Sequence, residues 1–469
     1  MRLGYRFSML RKGAVVAAVA AALTGQVAQA ETLADAMVGA YTHSGLLDKN
    51  RALLRAADED VAVSIAALRP IVSWTSSVGY SYSYSEASLT TSEAVTSSVG
   101  LAAELMLYDG GTNRLSAEVA KETVLATREA LVSVEQQVLM SAVDAFFEVR
   151  RAAEFVRLRE NNLRVINEEL RAARDRFDVG EVTRTDVSIA EARLAATRAQ
   201  LAAARGDQAR AAEAYIAAVG RKPGNLKAPG SVKTPAKSLD AAKAFALQTH
   251  PDLKSVQHQV VAAELGIAIA QAAKKPRLKI TSSIGVSDTF EADSEGRSAS
   301  LGLQASQTIY QGGRLSALER KSRAQRDSVR GDLHTAQLQI AQNVGNAWAQ
   351  LNVARATSVA STQQVRASEV AFRGVREEAT LGARTTLDVL DAEQELLDAR
   401  ASLVSARIDE VRAGYMLLAT MGLLTAEQLN LNVPRYDPAA YYNLVKKAPV
   451  NASKQGQQLD RVLKSLGKE

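Results

Sequence analysis

The stretch Leu107-Tyr108-Asp109-Gly110-Gly111 decides the fold, because the chain repeats it 202 residues later as Ile309-Tyr310-Gln311-Gly312-Gly313. The same offset relates three further pairs: Gly180 and Gly382, Asp186 and Asp388, and Gly220 and Gly422. Upstream of the repeated stretch the offset is 206, so the second copy lacks four residues in one segment. A register kept over about 190 residues, with its only length change in one loop, predicts two copies of one structural unit.

The duplication also predicts how the chain is divided. Each copy should contain a helix, a β-hairpin, a long helix and a return helix. Prolines cluster between the copies and again after the second copy, which indicates irregular segments there. The last residues, 450–469, are polar and are expected to form a mobile tail. We predict five segments: a signal peptide (1–30), a first repeat (31–222) with its hairpin at 71–108, a linker (223–237), a second repeat (238–433) with its hairpin at 278–310, and an equatorial segment with a polar C-terminal tail (434–469).

The N-terminus has the pattern of a secretory signal. Four basic residues precede an apolar run from Ala14 to Leu23, and Ala28-Gln29-Ala30 supplies a cleavage site before Glu31. An uncleaved membrane anchor is the alternative, but this run of about ten residues is short of the roughly 20 that span a bilayer. Cleavage lowers the formal charge from +6 to +2, because residues 1–30 contain four basic and no acidic residues. The nearly balanced charge argues against a nucleic-acid partner.

Cysteine is absent, and the chain has only 4 histidines. Disulfides, thiol chemistry and cysteine metal sites are therefore excluded, as is an N-terminal lipid anchor, which needs a cysteine after the cleavage site. No glycine-rich phosphate loop is present, and the scattered histidines match neither a metalloprotease motif nor a catalytic triad. Those histidines are His43, His250, His258 and His334. The sequence thus predicts no enzyme activity, no cofactor and no metal site.

Alternation of apolar with small polar residues predicts four strands. A half-buried sheet of a soluble protein alternates in the same way. Here the polar faces carry Ser, Thr and Gly rather than mixed charges, and aromatic residues cluster near the strands, which favours membrane strands. The pattern occupies Val72–Ser85, Val95–Leu107, Leu278–Ser287 and Ala299–Ser306, with polar loops predicted at 86–94 and 289–298.

Four strands cannot close a barrel by themselves. No stretch after residue 30 predicts a transmembrane helix, so insertion into a membrane requires a closed barrel. Chains must then associate to remove the open strand edges, and a trimer would supply twelve strands.

Two long runs without proline follow the Gly-Gly pairs, from Thr112 to Phe177 and from Arg314 to Ala379. Each run of about 66 residues predicts roughly 100 Å of helix. Apolar residues at 4,3,4 spacing indicate a coiled-coil seam with small residues for close approach. They are Val138, Ala142, Ala145 and Val149 in the first run, and Ile340, Val344, Ala347 and Leu351 in the second. Gly180 and Gly382 should end the helices in tight turns, after which the chain returns through 184–219 and 386–421.

These features together resemble the TolC family of outer-membrane efflux proteins, over essentially the whole chain after residue 30. The stretch Leu381-Gly382-Ala383-Arg384-Thr385-Thr386-Leu387-Asp388-Val389-Leu390-Asp391 is similar to the family's periplasmic turn, and the two Tyr-x-Gly-Gly stretches are similar to its strand-to-helix corners. The resemblance implies a mixed fold, an all-α tunnel of twelve helices plus a transmembrane β-barrel of twelve strands, built by a homotrimer. It also implies contact with outer-membrane lipid and two kinds of partner, an inner-membrane ABC or RND-type transporter and a periplasmic adaptor. In lacking a lipid-anchor cysteine, the chain resembles the type I secretion branch of the family.

The second helix-to-helix turn is the candidate functional site. Thr183-x-x-Asp186 and Thr385-x-x-Asp388 are capping-box patterns, and capping alone accounts for both aspartates. Capping does not explain Asp391, which lies one turn after Asp388; three chains would place six such carboxylates in a ring that favours cations.

The resemblance assigns roles to the same residues. It implies that Asp388 and Asp391 form the periplasmic constriction. It further implies that Arg384, Thr185 and Asp186 form links that hold the gate closed. Ala379 stands where the family often has a tyrosine in this network, so the closing links are expected to be fewer or different. We also expect Gly110, Gly111, Gly312 and Gly313 to form the strand-to-helix corners with positive φ, and Gly180 and Gly382 to form the helix-turn tips.

Two classes of function remain open from the sequence. The favoured one is an exit duct across the periplasm and the outer membrane, for secreted proteins, for drugs or for both. The other is a structural periplasmic coiled-coil protein or an adaptor without a pore, but adaptors lack paired Ser/Thr-rich hairpins.

Overall fold

The computed structural model describes residues 31–230, 232, 235–290 and 294–465, so the predicted signal peptide lies outside the described residues. The first repeat contains α1 (Leu33–His43), α2 (Gly45–Ala66), β1 (Ile71–Ser85), β2 (Thr90–Tyr108), α3 (Thr112–Asp178) and α4 (Arg184–Val219). The second repeat contains α5 (Leu239–Thr249), α6 (Pro251–Ala272), β3 (Arg277–Thr289), β4 (Ser294–Ser306), α7 (Arg314–Thr380) and α8 (Thr386–Thr420). The order of elements is the same in both, as the duplication predicts.

The long helices match the sequence prediction to within one residue. Helices α3 and α7 have 67 residues each. They end where glycine takes a left-handed conformation, at Gly180 with φ 81° and at Gly382 with φ 78°. All eight residues of the predicted coiled-coil seams are buried. Sequence analysis missed the short helices α1 and α5.

One stretch of α3 has the length and composition of a membrane-crossing helix, contrary to the sequence prediction, but half of it is buried inside the protein. Burial of this kind is typical of a core helix.

The four strands form one antiparallel sheet in the order β1-β2-β3-β4. The two hairpins meet at β2 and β3, whose register runs from Thr96 opposite Thr289 to Tyr108 opposite Leu278, with an irregularity between Met106 and Tyr108. Strands β1 and β4 each have one strand neighbour in this sheet. A row of backbone groups on each edge strand therefore has no strand partner within the protomer.

The predicted positions of the two hairpin loops are largely wrong. Strand β2 begins at Thr90 and β4 at Ser294, so most of 86–94 and of the described part of 289–298 belongs to strands. The reason is that polar Ser, Thr and Glu side chains do not prevent ladder pairing: Ser85 pairs with Thr90 at the end of the first hairpin. Gly296, which we expected in a loop, lies in β4 opposite Ser287.

The C-terminal segment contains two helices that were not predicted from the sequence. They are α9 (Pro438–Val445) and α10 (Lys454–Ser465), so part of the predicted polar tail at 450–469 is helical. Although α10 is mostly polar, Leu459 and Leu463 lie one helical turn apart on it, and both are partly buried. Residues 466–469 lie outside the described residues.

The chain divides into two compact units that cut across the repeats. One unit consists of the described parts of Met1–Gly45, Glu135–Ala244 and Asn343–Val433, and the other of Leu46–Val134, Phe245–Gln342 and Pro434–Glu469. The first unit contains both helix-to-helix turns, and its core includes the edge-to-face ring pair Phe146 and Phe147. The second unit contains the sheet, the strand-to-helix corners and the C-terminal helices.

Candidate functional site

The second turn connects α7 to α8 and belongs to the first unit. Gly382 donates its N–H to the carbonyl of Ala379 at 3.2 Å, and Ala383 donates to the carbonyl of Glu378 at 2.9 Å. These bonds satisfy carbonyl groups that the end of α7 leaves without intrahelical partners. The turn is thus a fixed backbone structure that presents Arg384 and Thr385 at the start of α8.

Both turns contain the predicted capping boxes. The Oγ1 atom of Thr385 accepts from the N–H of Asp388 at 3.2 Å, and the Oδ2 atom of Asp388 accepts from the N–H of Thr385 at 2.9 Å. Thr183 and Asp186 make the same reciprocal pair at 3.3 and 2.9 Å. The pKa of Asp388 is lowered, first by the bond from the backbone of Thr385 and then by the bond from its hydroxyl. Both aspartates therefore have a structural role within one protomer.

Asp391 has a partner that the sequence analysis missed. Its Oδ1 atom accepts from Nη2 of Arg193 at 2.6 Å, which connects α8 of the second repeat to α4 of the first. The duplication gives no hint of this pair, because its offset relates Asp391 to Ile189 and Arg193 to Glu395. Asp391 is the more exposed partner, with 60% of its side chain exposed. Much of its side chain therefore remains accessible to solvent.

Arg384 pairs with the end of α7 in the protomer. Its Nε atom lies 2.9 Å from Oε2 of Glu378, and half of each side chain is exposed. The bond to Glu378 raises the pKa of Arg384, and Asp388 adds a weaker attraction. Both turns line one open cavity of about 680 Å³, which brings together Asp186, Arg384 and Asp388. Thr185 is exposed and does not line this cavity.

Ala379 is buried in an apolar cluster that borders the open cavity, and it contributes to the lining of that cavity. It is 5% exposed and packs with Phe372 of α7 and with Val389 and Leu396 of α8. A second cavity of about 120 Å³ lies beside it. The hydroxyl of Thr386, which lines this cavity, is buried and has no hydrogen-bond partner within the described part of the chain. The residue that replaces the tyrosine thus joins α7 to α8 by packing.

Two further polar contacts lie above the turn, and sequence reasoning missed both. Arg376 Nε of α7 is 3.2 Å from Oε1 of Glu169 of α3. Asn162 of α3 donates from Nδ2 to Oε1 of Glu393 of α8 at 3.2 Å, and both of these residues are buried. Burial raises the pKa of Glu393 and of Glu169. The sequence signal was only that Glu393 follows the apolar Val389 and Leu390 by one helical turn.

The strand-to-helix corners have the predicted backbone conformation. Gly110, Gly111, Gly312 and Gly313 all have positive φ. At Gly110 a side chain is also excluded by space, because a Cβ atom there would lie 2.7 Å from the carbonyl oxygen of Ala272. Asp109 caps α3 by accepting from the N–H groups of Gly111 at 2.9 Å and Asn113 at 2.7 Å.

The described side chains of the sheet are exposed or only partly buried in the protomer. Every residue of β1 is exposed, including Trp74 at 70% and Tyr80 at 64%. Exposed apolar surface of this extent marks a membrane or protein contact.

No group of three or more His, Asp or Glu side chains suitable for a metal is found in the part of the chain that the structure describes. His258 is 2.7 Å from Glu122, and His250 accepts from the N–H of Asp252 at the start of α6. Both histidines therefore have ordinary structural contacts.

Known proteins match this chain over most of its length. Residues 40–221 and 245–423 match the family described as outer membrane efflux protein. The outer membrane efflux protein BepC of Brucella suis is 38% identical, covering 90% of this chain and 92% of that protein. Outer membrane protein TolC of Escherichia coli is 24% identical, covering 86% and 84%. The solved structure of outer membrane protein VceC from Vibrio cholerae has a TM-score of 0.72 and 20% identity, covering 83% of this chain and 96% of that one.

An edge-open sheet with exposed aromatic residues, joined to long paired helices, defines a channel-forming protein of the outer membrane with a periplasmic tunnel. The chain belongs to the outer membrane efflux protein family, in which the TolC proteins are grouped. It is an outer-membrane exit duct for efflux or type I secretion, and the alternative of a pore-free coiled-coil protein or adaptor is set aside. Its position is the outer membrane, with the helical part in the periplasm.

Proposed function

We propose that the working form is a homotrimer in which twelve strands close one barrel. The observation that carries this proposal is the four-stranded sheet, whose edge strands β1 and β4 each have one strand neighbour. Open edges are not tolerated in lipid, since their backbone groups would lack hydrogen bonds. Chemical cross-linking in mild detergent should return trimers, and a membrane-inserted monomer would contradict the proposal.

The gate of this duct lies at the helix turns. Asp388 and Asp391 form the periplasmic constriction, and Arg384, Thr185 and Asp186 form links between chains that keep it closed. Support comes from the exposure of Arg384, Thr185 and Asp391 and from the cavity shared by Arg384, Asp186 and Asp388. Within one protomer Arg384 is neutralised by Glu378, so closure between chains must compete with this ion pair.

Single-channel recording in planar bilayers tests the gate. Arg384→Ala should raise conductance, because it removes the links across the turn while leaving both capping boxes intact. Arg174→Ala is the matched control, since Arg174 is also a half-exposed arginine near a turn but pairs with Glu191 on the first return helix. Equal conductance in wild type and Arg384→Ala would contradict the gate assignment.

The duct works with an inner-membrane ABC or RND-type transporter and a periplasmic adaptor, and it carries out no catalysis of its own. Support for a partner as the source of energy is the absence of a phosphate-binding loop from the sequence. The cysteine-free chain favours the type I secretion branch, with drugs as a second cargo. A deletion strain should lose one or more secreted proteins, become drug-sensitive, or both, and an unchanged strain would contradict the proposal.

A further inference from the structure

Helices α3, α7 and α8 of the first unit enclose a polar layer, formed by Asn162, Glu169, Arg376 and Glu393. Glu393 is 5% exposed, and among the described residues its side chain accepts one hydrogen bond, from Asn162 at 3.2 Å. Arg376 lies 3.2 Å from Glu169 on the neighbouring helix. The layer therefore holds two carboxyl groups and one guanidinium, while Arg400, the strongest cationic neighbour of Glu393, is itself 3.5 Å from Glu369. A buried carboxylate without its own cation is costly, so the two acids compete for Arg376.

The duplication supplies a direct comparison. At the offset of 202, Arg376 and Glu393 correspond to Arg174 and Glu191 of the first repeat. Arg174 and Glu191 pair with each other at 2.6 Å, and both side chains are about half exposed. In the second repeat the arginine has instead taken Glu169 of α3 as its partner. The same two residue types thus have two pairing arrangements in one chain.

On the basis of the gate proposed at the second turn, we propose that Arg376 is a two-position switch controlled by the protonation of Glu393. When Glu393 is protonated, Arg376 pairs with Glu169 and connects α7 to α3 above the turn. When Glu393 loses its proton, Arg376 moves to Glu393, as Arg174 does to Glu191, and α7 is released from α3. The start of α8 and the turn then open more readily.

The electrostatics of the layer support this direction. Burial raises the pKa of Glu393, with nearby Glu169 adding to the effect and Arg400 and Arg376 opposing it. A carboxyl group whose folded pKa is raised stabilises the arrangement below that pKa, and the stabilisation is lost as pH rises through it. Among the described residues, Glu168 and Arg176 of α3 lie beside Glu169, and Arg400 of α8 lies beside Glu393 and pairs with Glu369 of α7. Two residues before Glu393, Asp391 pairs with Arg193 of α4.

Hydrogen exchange of the segment Thr386–Leu397 in the purified full-length channel tests the switch without requiring a pore. Wild type and Glu393→Gln are compared at the same pH, so the intrinsic exchange rates cancel. We expect the smaller difference at pH 5, and at pH 8 faster exchange in wild type, by up to about tenfold for each unit by which the closed arrangement raises the pKa of Glu393. Equal rates at both values would overturn the proposal, as would a larger difference at pH 5 than at pH 8.

Two variants separate the switch from a merely structural effect. Glu169→Gln leaves Arg376 with Glu393 as its only carboxylate in the layer, so exchange should be fast and nearly independent of pH. Glu191→Gln is the matched control, because it changes the equivalent residue of the exposed pair, and it should behave as wild type. An altered pH dependence in Glu191→Gln equal to that in Glu393→Gln would contradict the assignment.

Planar-bilayer recording then connects the switch to the gate. Wild-type conductance should rise between pH 5 and pH 8, and this rise should be absent in Glu393→Gln and kept in Glu191→Gln. A protein without conductance in any form would refute the proposed channel function, whereas the exchange result would still decide the switch. Conductance with the same pH dependence in wild type and Glu393→Gln would overturn the switch and leave the channel intact.

Discussion

Asp58 of α2 should destabilise the folded protein at neutral pH. Its side chain is fully buried, and neither carboxylate oxygen has a hydrogen-bond partner among the residues that the structure describes. Burial raises the pKa of Asp58 from 3.8 to about 6, with Arg128 opposing and Glu59 adding to the effect. The pKa of Asp58 is higher in the folded state than in the unfolded state. Its contribution to the free energy of unfolding is therefore most favourable below pH 4 and decreases as pH rises to about 6. At about 1.4 kcal/mol per pKa unit, the loss amounts to roughly 3 kcal/mol above pH 6.

Asp58→Asn removes the ionisation and keeps the shape of the side chain. Its apparent melting temperature, followed by circular dichroism in detergent, should exceed that of wild type at pH 8 and equal it near pH 4. Asp60→Asn on the same helix is the control, because Asp60 is exposed, and its difference from wild type should be small at every pH. A difference for Asp58→Asn that does not change with pH, or a variant less stable than wild type at pH 8, would refute the reasoning.

Three further results are expected. Gly110→Ala should reduce the yield of assembled trimer, because Gly110 has a positive φ and other atoms fill the space that a Cβ atom would need. Gly206→Ala in the exposed middle of α4 is the control and should stabilise the protein by about 0.5–1 kcal/mol. Equal trimer yields of the two variants would count against the assignment of Gly110 to a strand-to-helix corner. Asn at both Asp388 and Asp391 should lower the cation preference measured from reversal potentials, while a capping role alone predicts unchanged selectivity and a loss of about 1 kcal/mol. Arg193→Ala should change the free energy of unfolding by less than about 1 kcal/mol, because the Arg193–Asp391 ion pair is partly exposed. The same variant should raise conductance, because Asp391 loses the partner that holds it at the turn. Unchanged conductance would show that Asp391 has no part in gating.

Helices and corners were predictable because their signals are local. Helix α3 contains neither proline nor glycine, so its end follows from Gly180. Helix α7 continues through Gly331, Gly345 and Gly374, and its end was predictable because Gly382 repeats Gly180. The capping boxes are equally local, since Thr385 and Asp388 satisfy each other within four residues. The strand ends were not predictable, because an exposed ladder tolerates polar residues, and alternation fades before pairing does.

The contacts of the gate region were not predictable for a different reason. Arg193 and Asp391 are 198 positions apart, and their pairing depends on how the two repeats pack. Glu393 looked like an ordinary acidic residue of a return helix, as Glu191 is. Only the packing of α3 against α8 shows that Glu393 is buried. A local pattern contains no information about which of two equivalent residues faces the core.

The duplication therefore separates what makes the fold from what makes a gate. The threonine and aspartate of each capping box occur in both turns and have the same bonds, so they explain why both turns form, and the constriction and links proposed for Asp388 and Asp186 require contacts beyond the capping box. The residues that differ lie around the second turn: Arg384 corresponds to Val182, and Asp391 corresponds to Ile189. Where the copies share a residue type, as at Glu191 and Glu393, burial makes them unequal. Since two identical turns would open equally, a gate at one of them requires such differences, and variants at these unshared positions are the ones that should alter conductance.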